Sequence, residues 1–170
     1  GHGFHFTLPA DEFSPVYLDV MGRPPRVGDF RSCYARCRHH MTSWGYLPVV
    51  SVEDLVLLKR TRRLADYDVI NRLVSGSTFD AKRFLRSSFD PAGLVSLVKS
   101  TPGALTLARK VRRPALLPFR RWRDAGAPAP RGLLAAVQEA VLKEIALHQR
   151  ADLRYWSPIL SELRDLRRRG

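Results

Sequence analysis

Apolar residues in this chain change their spacing partway along, and the change limits which architectures are open to it. Phe4, Phe6 and Leu8 alternate with His5 and Thr7. Further on, Val16, Leu18 and Val20 share one face, while Tyr17, Asp19 and Met21 share the other. A period of two predicts half-buried strands, and the turn-rich PADEFSP between them predicts a hairpin. After about Ser75 the strand signals fade and apolar residues recur at three- and four-residue spacing, the mark of helices. The expected class is therefore α+β, with a mixed α/β part over residues 1–75 followed by a helical appendage over 76–170. No internal repeat is present.

Between these signals, GRPPRVG reads as a loop, and Asp29 can cap a helix whose stripe is Phe30, Tyr34, Cys37, Met41 and Trp44. YLPVV is a short extended segment. Ser51 followed by Asp54 fits a capping box, with hydroxyl and carboxylate covering orphan amides, so a helix is expected from about Val52. In the back section Asp90-Pro91 is a helix start, residues 103–113 form a short helix, and GAPAP breaks the chain. Residues 131–150 carry the longest helical pattern, with Leu134, Val137, Val141, Ile145 and His148 on one side. Ser157-Pro158 opens a last helix ending in LRRRG.

The stretch SVEDLVLLKRTRRLADYDVINRL departs from an ordinary amphipathic helix. Leu55, Lys59, Arg63, Asp66, Ile70 and Leu73 fall on one side at about 100° per residue, so charge interrupts the apolar stripe. The charged middle either lines a cleft or marks a break between two shorter helices. In a purely structural reading the Lys and Arg stems snorkel from a half-buried face and Arg63 pairs with Asp66.

With 170 residues the chain can bury a core as one domain, or as a domain with an appendage. No run approaches the ~18 apolar residues of a membrane span, so no membrane partner is expected. GHGFHFTL is already strand-like at Gly1, so an upstream segment is expected. Two cysteines are too few for a disulfide scaffold, which makes the cytoplasm the default compartment. A formal charge of +13 predicts attraction to polyanions, although arginine-rich composition alone can account for part of it.

Asp19 is the leading carboxylate: mid-strand, it is either buried and paired or metal-bound, or it faces solvent. Cys33, Cys37 and His40 line up at i, i+4, i+7, but structural zinc sites draw ligands from two elements, so core packing is favoured. GSTF is no phosphate loop. From Arg109 to Arg123, RKVRRPALLPFRRWR has seven basic residues and no acidic one, with Phe119 and Trp122 interleaved. Arg112, Arg113, Arg120, Arg121 and Arg123 suit phosphate contact, with the aromatics either stacking on bases or anchoring a basic loop.

LDVMGRPPRVGDF, followed by LPVVSVEDLVLLKRTRRLADYDVINRLV, resembles the later half of bacterial nucleotidyltransferase-like proteins of the polymerase-beta superfamily, including minimal nucleotidyltransferases and relatives of the AbiE toxin component. Leu55, Lys59, Thr61, Arg63, Asp66, Tyr67 and Ile70 follow the family's helix pattern in order. DLRYWSPILSELRDLRRRG is similar to the helical C-terminus of one branch. The likeness covers residues 14–74 and 152–169.

It implies a nucleotidyltransferase-type mixed sheet in which three strand carboxylates hold two Mg²⁺ ions on a nucleoside triphosphate (NTP). Asp19 would be the third carboxylate, and thus catalytic and metal-binding. Lys59 and Arg63 would neutralise phosphate, with Asp66 orienting one of them. The implied activity is nucleotidyl transfer from the NTP to RNA or protein, in a toxin-antitoxin or phage-defence setting, with tRNA or other nucleic acid and an antitoxin protein as partners. Only 18 residues precede Asp19, and they hold neither the Gly-Ser motif nor the Asp-x-Asp strand of the family. The chain alone is therefore expected to be an inactive fragment or a non-catalytic relative. The alternative is a basic helical module that binds nucleic acid or a protein without chemistry.

Overall fold

A computed structural model describes residues 4–8, 16–22, 24–76, 80–124 and 127–169. The expected turn at PADEFSP, most of GSTF and the first residue of GAPAP lie outside them. The chain divides into two compact units, Gly1–Leu58 and Lys59–Gly170. The first is a small mixed α+β region with two two-stranded sheets, and the second is mainly helical.

In the first unit β1 (Phe4–Leu8) pairs antiparallel with β2 (Val16–Val20), in a register that sets Phe6 opposite Leu18 and His5 opposite Asp19. Asp29 caps α1 (Phe30–Ala35), accepting from the Ser32 amide at 2.7 Å. That helix is one and a half turns long, and does not run on to Trp44 as its stripe predicts. Residues beyond Cys37 instead form β3 (Arg38–Thr42), which turns through Ser43 and Trp44 into β4 (Gly45–Val49). Gly45 sits at φ +107°, a conformation that side chains resist, and the Thr42 hydroxyl closes the turn by donating to the Gly45 carbonyl at 2.8 Å. Apolar spacing through Cys37 and Met41 fits both periods, and turn chemistry decides for the strand.

α2 (Val52–Leu58) starts as expected, with the Asp54 amide donating to Ser51 Oγ at 3.1 Å. The other half of the capping box is absent, because the Asp54 carboxylate is taken by Arg36, whose Nε and Nη2 donate at 3.0 Å each. At the far end Arg26 donates to the Leu57 carbonyl at 2.9 Å, covering an orphan acceptor.

The helical unit follows as α3 (Ala65–Val74), α4 (Ala81–Ser87), α5 (Pro91–Ser100), α6 (Ala104–Lys110), a 3-10 helix (Pro114–Arg121) and α7 (Leu133–Arg169). Its core is built from Ile70, Leu85, Leu94, Val98, Leu116, Phe119, Trp122, Val137 and Val141, all nearly inaccessible. Full burial of such side chains contributes roughly 1.5–3 kcal/mol each. α3 joins this core through Tyr67, Ile70 and Val74, which explains why the units divide before it, at Leu58, and not at residue 75. Gly93 lets α5 approach α4, since a Cβ there would meet Phe84 Cζ at 2.9 Å.

α7 is continuous, with Pro158 inside it, so Ser157-Pro158 does not open a separate helix. Its buried stripe enters at Leu133 rather than Leu134, which is half-exposed, and continues through Glu144 and Asp152. Among the described residues no helix is long and apolar enough to cross a membrane.

Candidate functional site

Asp19 lies on an open hairpin. Its side chain is 74% exposed, and Oδ1 is 2.6 Å from His5 Nδ1, whose ring stacks on Tyr17 at 5.3 Å. One exposed carboxylate beside an imidazole is not a donor set for Mg²⁺, which takes several hard oxygens in octahedral array. Among the described residues no group of three or more His, Cys, Asp or Glu side chains converges as a metal site. Cys33, Cys37 and His40 do not form one either: Cys33 lies in α1, with Sγ 3.9 Å from Asp54 Oδ2, and Cys37 lies past its end.

The charged interruption after α2 is a break between helices. Residues Lys59 to Leu64 form a tight turn whose organiser is Asp66, at the start of α3 and 6% exposed. Lys59 Nζ donates to Asp66 Oδ1 at 3.1 Å, the Thr61 hydroxyl donates to Oδ2, and Arg63 Nε stands 3.6 Å from Oδ2. Burial pushes the Asp66 carboxyl up, but Thr61, Lys59 and the nearby Arg63 outweigh it and hold the group below the usual carboxylate range. Tyr67 ties the turn down by donating to the Thr61 carbonyl at 2.9 Å. α7 holds it too, through Asp152, which accepts from the Arg62 amide at 3.2 Å. Lys59, Arg63 and Asp66 thus come together, and Lys59 spends its charge on Asp66.

The basic segment separates into parts that its sequence does not distinguish. Phe119 and Trp122 are buried, so they anchor the segment and offer no face for bases. Arg113 is buried as well. Its Nε donates to both oxygens of Glu144 at 2.9 and 3.1 Å, its Nη1 donates to the Leu85 carbonyl at 3.0 Å, and its guanidinium covers Phe89 at 4.7 Å. Burial pushes the Arg113 pKa down, and Glu144 counters it. Arg112, Arg120, Arg121 and Arg123 are exposed. Of these, Arg112 and Arg121 border different cavities.

The cavity at Arg112 measures about 790 Å³ and gathers cations from four stretches of the helical unit. Arg60 comes from the turn after α2, Lys82 and Arg86 from α4, Lys110 from the end of α6, and Arg112 and Arg113 from the link to the 3-10 helix. The one carboxylate in the lining, Glu144, is already engaged by Arg113 and by the Ala115 amide at 3.1 Å. Lys82, Arg86, Lys110 and Arg112 enter no ion pair with a carboxylate among the described residues. Arg113 Nη2 is buried with no hydrogen-bond partner among them. Unneutralised cations around a concave wall hold a positive potential that an anion relieves.

Of the residues expected to touch phosphate, the cavity brings together Arg112 and Arg113, and leaves out Lys59, Arg63, Arg120, Arg121 and Arg123. Sequence reasoning missed Arg60, Lys82, Arg86 and Lys110. The i,i+4 spacing of Lys82 and Arg86 was the one local signal that could have placed two of them on one helix face. No family model, curated protein or solved structure matches the chain.

Proposed function

We propose that the helical unit is a non-catalytic module that binds the phosphates of nucleic acid in the basic cavity. What carries this reading is the cavity's charge: six cationic side chains and a single carboxylate that is already paired. Arginine fits here because its planar fork meets phosphate oxygens in pairs, and Arg60, Arg86 and Arg112 border the cavity beside the point charges of Lys82 and Lys110. Fluorescence anisotropy with a labelled oligonucleotide tests the reading. Affinity should fall with salt by up to ~0.7 log units per contact per log unit for a single strand, and Lys110→Glu with Arg112→Glu should flatten that slope. An unchanged slope would remove the cavity from the binding surface.

A second reading, nucleotidyl transfer by a longer assembly of this domain, is supported by the ordered pattern from Leu55 to Ile70. Lys59, Thr61, Arg63 and Tyr67 of that pattern serve the turn organised by Asp66, so it also has a structural use. The Mg²⁺ and NTP of that reading do not fit Asp19 and His5 as a donor set, and no step is derived through them.

A further inference from the structure

We propose that the basic cavity takes single-stranded nucleic acid with an unpaired base seated against its apolar residues, and so discriminates against duplex. The inference rests on the phosphate-binding reading above and names the class of nucleic acid that the same cavity accepts.

Charge describes only part of the lining. Leu107 from α6, Val111 from the link that follows, Pro114 from the 3-10 helix and Leu147 from α7 line the same cavity. Leu107 and Val111 are half-buried and Leu147 is 50% exposed, so apolar surface is left for an occupant to cover. His148 adds a half-buried ring, lying parallel to Tyr67 at 6.4 Å and nearly perpendicular to Phe89 at 5.6 Å. A ligand made only of phosphate sets its oxygens against these groups, where they lose water and gain no hydrogen bond. A nucleobase supplies apolar surface on the same molecule that carries the phosphates.

Size and shape agree with that occupant. At about 790 Å³ the cavity falls within the roughly 300–1,000 Å³ range of pockets that enclose a small molecule, which is the scale of a nucleotide. All of its walls belong to the helical unit. A duplex meets a concave wall with a convex backbone and keeps its bases stacked inside, and extruding one carries a cost that a single strand does not meet. Single strands present unstacked bases that splay into such pockets.

The test measures three fluorescent ligands on the full chain at one salt concentration: an oligouridylate, an abasic strand of the same length and charge, and the oligouridylate annealed to oligoadenylate. The oligouridylate should bind about fivefold or more tighter than either of the others. Leu147→Asn replaces a half-exposed side chain without changing charge, and Val111→Thr is a second variant of nearly the same shape; circular dichroism checks that each keeps its fold. Both should lower oligouridylate affinity severalfold, toward that of the abasic strand, and leave abasic binding unchanged. Equal affinity for the oligouridylate and the abasic strand, duplex bound as tightly as the single strand, or no loss or equal loss on both strands in the two variants would each overturn the inference. If Lys110→Glu still weakens all three ligands, the phosphate reading stands without it. No response of any ligand to Lys110→Glu with Arg112→Glu would remove the phosphate reading, and the inference falls with it. Displacement of the strand by uridine monophosphate as readily as by unlabelled oligouridylate would also overturn it, since the cavity would then be a site for a free nucleotide.

Discussion

Arg113 and Glu144 form a salt bridge at 2.9 Å in which each side chain is about 5% exposed. Both charges have left water, and the pair is held by hydrogen bonds to the Leu85 carbonyl and the Ala115 amide. Removing one partner strands the other in a dry site, so Glu144→Leu or Arg113→Met should each cost about 3–5 kcal/mol in urea unfolding. The double replacement should recover most of that loss, because an apolar pair leaves no charge stranded. A double variant as unstable as the sum of the singles would show that the pair itself contributes the stability.

Asp66 supplies a second, weaker ion pair with a pH signature. Its folded pKa is depressed, so its contribution is present above the ordinary carboxylate pKa and is lost as pH falls through the folded value. Asp66→Asn should therefore destabilise the chain at neutral pH and flatten the acid limb of a stability profile measured by thermal unfolding. Lys59→Met should cost less than Asp66→Asn, on the order of 1–2 kcal/mol, because Lys59 is about one-third exposed and Thr61 and Arg63 still face the carboxylate.

The arginines of the basic segment should differ in their effect on nucleic-acid affinity. Arg112 borders the basic cavity and Arg120 and Arg123 do not. Reversing Arg112 to Glu should lower oligonucleotide affinity more than reversing Arg120 or Arg123, as read by anisotropy at fixed salt. Phe119→Ala should act on stability, at about 3–5 kcal/mol, since its ring is fully buried. Equal affinity losses across the arginines would mean that net charge, not the cavity, sets binding.

The chain alone should show negligible Mg²⁺-dependent labelling of tRNA or protein by radiolabelled NTP. Asp19 is paired with a histidine on an open hairpin, and among the described residues it belongs to no group of three or more His, Cys, Asp or Glu side chains that could hold a metal. Robust labelling that Asp19→Asn abolishes would reverse this expectation.

What was readable in the sequence is what local chemistry controls. The pairing of β1 with β2 follows from two period-two stretches close together, and the α2 start follows from Ser51. The α1 boundary was not readable, because Cys37 and Met41 satisfy helical spacing while the turn that makes them extended depends on Gly45, several residues later. Arg113 looks like its neighbour Arg112. Only Glu144, 31 positions away, takes it into the core. The cavity was unreadable for the same reason, since Arg60, Lys82 and Lys110 meet through packing alone. Pro158 misled in the opposite way: a proline suits a helix start as well as it disfavours a helix interior.

The length of α7 gives the molecule a gradient of amide exchange. At 1.5 Å per residue its 37 residues span roughly 55 Å, yet its last buried side chain is Asp152. Up to that point, opening the backbone means unpacking Val137, Val141 and Ile145, so deuterium should enter only on global unfolding. Beyond it the ladder is supported by little besides itself, and Pro158 removes the donor that the Arg154 carbonyl would otherwise receive. Amides from Ile159 onward should therefore exchange orders of magnitude faster than those around Val141, within one unbroken helix.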